Sequence, residues 1–267
     1  MKVEVLLAIM NLKSEIEYKN ILEKNNITGK VVAINQIKEN GFNIEDGEKR
    51  IFSYKEIGAS NNRNRLLEKA EGDICVFADD DTVFVDNYEE IIRKEYEKNP
   101  KAEMIVFFAK NQNNNREKNK RIGNKKINSL NLMKVRTYEI TMKKQTLEKI
   151  KKENLKFDTN FGPGGIFKKG EEAIFISELL KMGIQIYSVD DKIGNTKNEQ
   201  STWFTGFDEK YLFDQGAIFY RIYHKWYKIL IIQYLIRKYF LYRKNVSIKK
   251  AYKEMCAGAN KCKEIYG

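Results

Sequence analysis

The chain has 267 residues, enough for one large or two small domains with a sizeable core. With 42% hydrophobic residues and only two prolines, it is neither a disordered nor a fibrous protein. A net charge of +12 suits nucleic acid, an anionic membrane surface or a phosphate-bearing substrate alike. Asn, Ile and Lys are abundant throughout, which weakens any inference from charge alone. Its distribution says more: residues 206–267 hold 13 Lys and Arg against 5 Asp and Glu, a local excess of 8. The three cysteines, Cys75, Cys256 and Cys262, form no CxxC pair and support neither a disulfide framework nor a zinc site. That usage suits a reducing cytoplasm. Residues 1–12 are apolar but too short and too interrupted for a signal peptide or a membrane span.

Residues 3–10 predict a strand instead, followed by a turn at Asn11, Leu12 and Lys13. Ser14 can cap a helix over 15–24 with Ile16, Ile21 and Leu22 inward. Gly29 leads into a second strand, 30–35, ending at the polar pair Asn35 and Gln36. Strand, helix, strand opens a right-handed parallel unit. The glycine-bearing stretch 41–48 reads as a loop, and 50–54 as a third strand.

The most informative stretch runs from Ser60 to Asp86. Ser60 can cap a helix. Leu66, Leu67 and Ala70 fall on one face of that helix at core spacing, and Gly72 can end it in a left-handed cap. Residues 74–78 form a short continuous apolar run, the signature of a strand covered on both faces. Asp79, Asp80 and Asp81 follow at its C-terminal end, where open α/β sheets bind ligands. Adjacent acids repel one another. A divalent cation with oxygen ligands offsets that repulsion and commonly bridges phosphates; a solvated acidic turn is the alternative. The position directly after a buried strand favours the site. Arg63 and Arg65 lie in the helix, where either can offer a fork to phosphate oxygens or lie on a solvated face.

Asp86 and Asn87 can cap a helix over 88–98 that Asn99 and Pro100 stop. A strand over 102–109 follows, and the polar, aperiodic stretch 110–126 predicts a loop between two halves. Residues 135–142 read as a strand and 145–152 as a short helix. Gly162, Pro163, Gly164 and Gly165 set a tight turn where backbone can approach a ligand closely. Gly170 precedes a helix whose apolar face is Ile174, Phe175, Leu179 and Met182. Glu171 and Glu172 lie in its first turn, where the helix dipole stabilises carboxylates. A strand over 183–189, Asp190 and Asp191, and a loop to Trp203 follow. Trp203 and Phe204 can stack on a ligand ring or sit in a core.

From residue 211 to 242 the pattern is helical and dense in aromatics, interrupted by Lys225, Lys228, Arg237, Lys238, Arg243 and Lys244. The longest uninterrupted apolar piece, 229–232, is far below the roughly 20 residues of a spanning helix. Aromatics beside Lys and Arg suit either a helix in a membrane interface or helices packed on the domain with a solvated basic face. Residues 247–256 predict a final amphipathic helix.

The order Asn62-Arg63-Asn64, a helix ending near Ala70-Glu71-Gly72-Asp73, an apolar strand and Asp79-Asp80-Asp81 resembles the nucleotide-sugar half of the family-two glycosyltransferases, to about Trp203. The resemblance implies an α/β, GT-A-like (Rossmann-like) nucleotide-diphospho-sugar transferase fold. A glycosyltransferase domain would cover 1–205, as a nucleotide-sugar half (1–110) and an acceptor half (111–205), with a basic aromatic helical tail at 206–267. The family's DXD motif binds a metal and the donor diphosphate. By position Asp81 and Asp79 would hold Mn2+ or Mg2+, with Asp79 and Asp80 on the donor. Met10, Asn11, Asn35 and Gln36 would contact the nucleoside. Arg63 matches the family's Ala-Arg-Asn position, facing the diphosphate, and Gly164 and Gly165 lie in the Gly-rich loop. The family's acidic pair after that loop is usually Glu-Asp, and its second acid is the catalytic base. Here the pair is Glu171-Glu172, so Glu172 is favoured while the choice between the two stays open. Many members place a metal-binding histidine where this chain has 195–200, which holds none.

The resemblance thus implies an inverting, metal-dependent transferase. Its donor would be a nucleotide diphosphate sugar, UDP-linked by expectation, and its acceptor a hydroxyl in capsule, O-antigen or other surface glycan synthesis. Glycan or lipid-linked acceptors, and an anionic membrane touched peripherally by the tail at the inner face of the cell membrane, would be its partners; nucleic acid would not. The rivals are a nucleotidyltransferase on a similar sheet and a basic nucleic-acid-binding protein.

Overall fold

The computed structural model describes residues 1–111, 122–196 and 206–267. The first strand, β1 (Val3–Met10), is followed by α1 (Glu15–Lys24), which begins on Ser14 as expected: the Ser14 hydroxyl accepts from the Glu17 N–H. Helix phase puts Tyr18 and Leu22 inward and leaves Ile16 71% exposed, against expectation. Next come β2 (Lys30–Gln36), β3 (Lys49–Tyr54), α2 (Ala59–Lys69) and β4 (Ile74–Asp79). Strand β1 pairs in parallel with both β2 and β4, and β2 with β3. The apolar runs of β1, β2 and β4 have the composition of strands covered on both faces.

Beyond β4 the sheet becomes mixed. Strands β5 (Thr82–Phe84), β6 (Met104–Asn111), β7 (Lys125–Lys126), β8 (Ile140–Lys143) and β9 (Ile186–Thr196) complete it, in the order β3-β2-β1-β4-β8-β6-β9-β5 with β7 also on β9. Strand β8 lies antiparallel to β4 and β6, while β6 and β9 run parallel. Helices α1 and α3 (Tyr88–Lys98) cover one face through Tyr18, Leu22, Ile92 and Tyr96. On the other face lie α2, α4 (Lys144–Lys152) and α5 (Glu171–Lys181), through Leu66, Leu147, Phe175 and Leu179.

Several boundaries differ from the sequence reading. The expected strand over 135–142 is strand only from Ile140, where β8 starts; Thr137–Glu139 is a 3-10 turn, and another, Leu132–Lys134, precedes the range. The second turn is closed by the Glu139 N–H donating to the Arg136 carbonyl at 3.1 Å, while the Glu139 carboxylate accepts from the Arg136 N–H at 3.3 Å. Within the expected loop 110–126, residues 112–121 lie outside the described residues and Lys125–Lys126 is paired strand. Gly183 closes α5 with φ 80°, and β9 starts only at Ile186. It then runs on through Asp190 and Asp191, because ladder bonds use the backbone and both acids face solvent. Asn87 caps α3 in a left-handed conformation with no side-chain bond, while Asp86 accepts from Asn26. Gly72 does not end α2, which closes at Ala70; a Cβ at Gly72 would lie 2.5 Å from the Cβ of Glu4. That Glu4 is fully buried in β1, taking the N–H groups of Glu71 and Gly72 and pairing with Arg50 at 3.0 Å.

The C-terminal stretch is three helices, α6 (Glu209–Tyr223), α7 (Tyr227–Tyr242) and α8 (Ile248–Tyr266), the last longer than 247–256 predicts. They share a third core with Phe161, Phe167 and Ile174, so they pack directly on the elements around α5. Helices α6 and α8 meet at two reciprocal glycines. A methyl on Gly216 would run into the Met255 carbonyl, and one on Gly258 into that of Phe213. Gly258→Ala should therefore cost about 1–3 kcal/mol from overpacking, read as a lower urea midpoint. An unchanged midpoint would mean the two helices do not rely on this contact.

Candidate active site

The C-terminal ends of β1, β2 and β4 gather the sequence-predicted residues at one edge of the sheet. β1 delivers Met10, which is 59% exposed, and Asn11, which takes a left-handed φ of 58° and donates its N–H to the Gln36 carbonyl at 2.8 Å. Asn35 is fully buried. Its side chain accepts from Leu12 N–H and donates to the Leu12 carbonyl, both at 3.0 Å, and also to Ser53. Gln36 donates to the Gly58 carbonyl at 2.9 Å. Asn35 and Gln36 thus shape the rim formed by the 11–13 loop and the start of α2, while Met10 and Asn11 project from it.

The start of α2 differs from expectation in a way that matters to the site. Gly58, with φ 115°, is the N-cap, and Ser60 lies inside the helix, donating its hydroxyl to the Phe161 carbonyl at 2.8 Å. The Ala59 N–H donates to the Pro163 carbonyl at 2.9 Å, and a Cβ on Gly164 would lie 2.6 Å from Gly58 Cα. A Cβ on Gly165 would similarly lie 2.6 Å from the Asn160 carbonyl oxygen. Close approach does require these glycines, but what approaches is the chain itself: the Gly-rich loop is docked on the head of α2.

Asn62, Arg63 and Asn64 are three consecutive buried polar residues, and each clamps a different element. Asn62 donates to the Ile34 carbonyl at 2.9 Å, and Asn64 exchanges two bonds with Phe157. Arg63, 7% exposed, reaches Glu171 at 2.7 Å and Asp79 at 3.8 Å. The resemblance turns Arg63 towards a diphosphate; in the structure its guanidinium ties the acid turn after β4 to the start of α5. Three carboxylates around it and the bond to Glu171 hold it firmly protonated despite burial.

Asp79 ends β4, and Asp80 and Asp81 form the turn to β5, pinned by a bond from the Asp79 N–H to the Thr82 hydroxyl and by Asn25 donating to the Asp80 carbonyl. Burial raises all three carboxyls. Arg63 pulls Asp79 back down, whereas Asp79 and Asp80 push Asp81 further, to about 6. Among the described residues no three His, Cys, Asp or Glu side chains converge as a complete metal site. A crowded set of hard oxygen donors, each disfavoured as an anion, still fits Mg2+ or Mn2+ bound by one or two carboxylates and completed by phosphate oxygens. Asn195 and Thr196 of β9 pair with Val83 and Thr82, beside this turn; residues 197–200, and Trp203 and Phe204, lie outside the described residues.

The two glutamates at the head of α5 differ sharply. Glu171 is 4% exposed, paired with Arg63, and packed so closely on Gly162 that a Cβ there would lie 2.6 Å from its carboxyl carbon. Among the described residues Glu172 has no cation at contact distance; it accepts a bond from the Thr137 hydroxyl at 3.1 Å. Burial first, and Glu171 beside it, push Glu172 up to about 7, against the pull of Arg63. Sequence reasoning missed Thr137. The only signal was a threonine inside a stretch read as strand, and nothing local points it at a helix more than thirty residues on.

The fold and this edge together define a nucleotide-binding α/β transferase of the GT-A type. A family model, Glycosyl transferase family 2, matches residues 33–168, and the chain belongs to that family. No curated protein matches in sequence. Among solved structures the chain is similar to S. aureus TarS (residues 1–349) in complex with UDP-GlcNAc, with a TM-score of 0.61 at 12% identity, covering 99% of this chain and 92% of that one. The same TarS fragment with UDP gives a TM-score of 0.58 at 15% identity, covering 92% and 74%. The mannosyltransferase PcManGT from Pyrobaculum calidifontis, in complex with GDP-Man and Mn2+, gives 0.53 at 12% identity, covering 100% and 76%. At such identities these similarities concern the fold.

Proposed function

We propose that the protein moves a sugar from a nucleotide diphosphate sugar, UDP-linked, to an acceptor hydroxyl with inversion at the anomeric carbon. The observation that carries this reading is the shared arginine: Arg63 joins Asp79, at the donor edge, to Glu171, next to Glu172, which is bonded to the Thr137 hydroxyl. Met10 and Asn11 line the nucleoside side, and Asn35 and Gln36 act through the loop they brace. Asp79 and Asp80 face the donor, with Gly164 and Gly165 fixing the loop against α2. Asp81 and Asp79 hold Mn2+ or Mg2+. A bound ion of this kind neutralises charge developing on the leaving diphosphate. Glu172 takes the proton from the acceptor hydroxyl as its oxygen bonds to the anomeric carbon and the bond to the diphosphate oxygen breaks. Thr137, donating to one carboxylate oxygen of Glu172, leaves the other for that proton. The basic C-terminal helices favour a lipid-linked acceptor in surface glycan synthesis.

Calorimetric titration with UDP, with and without manganese, tests the donor side. Manganese should tighten binding in the wild type, and Asp81→Asn should remove that gain while keeping the metal-free affinity. Equal affinities with and without metal in the wild type would overturn the metal assignment. Failure of every nucleotide diphosphate to bind would overturn the donor class.

A further inference from the structure

We infer that the outer face of α7 is a docking surface for an anionic lipid bilayer, on which the helix lies flat. The sequence left the whole segment 211–242 open between a membrane helix and a packed one, and the structure divides it. Helix α6 is buried along Leu212, Ala217, Ile218 and Phe219, so it belongs to the core. Helix α7 buries one side, Ile231, Tyr234, Leu235 and Tyr242, against the helices beside it. Its other side carries Trp226, Ile229, Ile232, Ile236 and Phe240, between 51% and 74% exposed. The spacing of these five, three and then four residues apart, makes a continuous stripe on one helix face. A run of large exposed apolar side chains of this kind marks an interaction surface rather than scattered surface residues.

Charge identifies the occupant. From residue 215 to 253 there are ten Lys and Arg and no Asp or Glu. On the helical wheel Lys228 and Arg237 flank the stripe on opposite sides, and Lys225, Arg243 and Lys244 stand at its ends; all five are exposed. Apolar and aromatic residues bordered by cations suit the acyl and headgroup layers of an anionic bilayer together. A second copy of the chain would set cationic rims against each other, which disfavours self-association through this face. Crossing the bilayer is excluded for α7: its 16 residues reach about 24 Å, and no helix among the described residues is long and apolar enough to span.

Co-sedimentation of the full chain with vesicles tests this independently of any transfer chemistry. Vesicles of phosphatidylcholine containing about a third phosphatidylglycerol should retain the wild type, and pure phosphatidylcholine vesicles should retain far less. Ile236→Glu with Phe240→Glu, both at exposed positions, should lower the anionic partition at least about tenfold with an unchanged melting temperature. Lys228→Glu with Arg237→Glu should lower it as well, through the electrostatic part, and flatten its salt dependence. Wild-type protein that stays in the supernatant with anionic vesicles would overturn the inference, even if it bound an acidic protein. Full retention of both variants would do the same. Vesicle binding by a protein that binds no nucleotide diphosphate would leave this inference standing and overturn the proposed function alone.

Discussion

Glu172→Gln is expected to lower the transfer rate by about 10²–10⁴-fold, the usual contribution of a general base, while nucleotide binding persists. Glutamine keeps the volume and an acceptor for the Thr137 hydroxyl but cannot take a proton. The same assignment fixes the pH dependence. A base works as the carboxylate, and burial beside Glu171 raises Glu172 to about 7. The rate should therefore rise with pH through about 7 and fall below it as Glu172 is protonated. Thr137→Val removes a donor that favours the charged form, so the acid limb should move to higher pH. A near-wild-type rate in Glu172→Gln would refute the role, as would a pH profile that is flat through neutrality.

Arg63→Met should destabilise the fold by about 3–5 kcal/mol, the range for removing one partner of a buried ion pair. The side chains of Arg63 and Glu171 are 8% and 5% exposed, so solvent cannot replace the lost cation. The loss should also depend on pH. Asp79 and Glu172 already titrate above their ordinary values, and Arg63 lowers both. A carboxyl raised by folding favours the folded state at low pH, where it is protonated, and loses that contribution as pH rises through its folded pKa. Without Arg63 both rise further, so the variant should be closest to the wild type in mild acid and furthest from it above neutrality. Urea unfolding of both proteins at two pH values measures this. A loss of under about 1 kcal/mol, the range of exposed pairs, would mean that the bridge is solvated and does not hold the acid turn to α5. A loss that is the same at both pH values would mean that Arg63 does not set the charge of its neighbours.

Much of this was legible because it is written locally. The apolar runs of β1, β2 and β4 gave three parallel strands almost to the residue. The serine before α1 gave its cap, and Gly170 before the two glutamates gave the start of α5. The acid turn after β4 was visible for the same reason: a strand covered on both faces ends abruptly where charge begins. The misplaced boundaries share a cause. Residues 135–142 have the apolar content of a strand, but the Glu139 carboxylate accepts from the Arg136 N–H across a turn that delays the strand to Ile140, and a local side-chain bond of that kind outweighs a weak β pattern. Ser60 looked like a cap because its competing partner, the Phe161 carbonyl, is a hundred residues away.

The sequence by itself determined the order of the elements, the covered central strands, the acid turn at their C-terminal edge and the paired glutamates at a helix start. These follow from periodicity and from the chemistry of adjacent residues. Only the tertiary structure decided that Arg63 joins Asp79 to Glu171 and leaves Glu172 with Thr137, and that the glycines of 162–165 serve contacts within the chain. It also decided which side of α7 is left uncovered. The reason is physical: an ion pair, a close backbone approach and a helix's exposed face each depend on groups far apart in sequence, brought together only by packing.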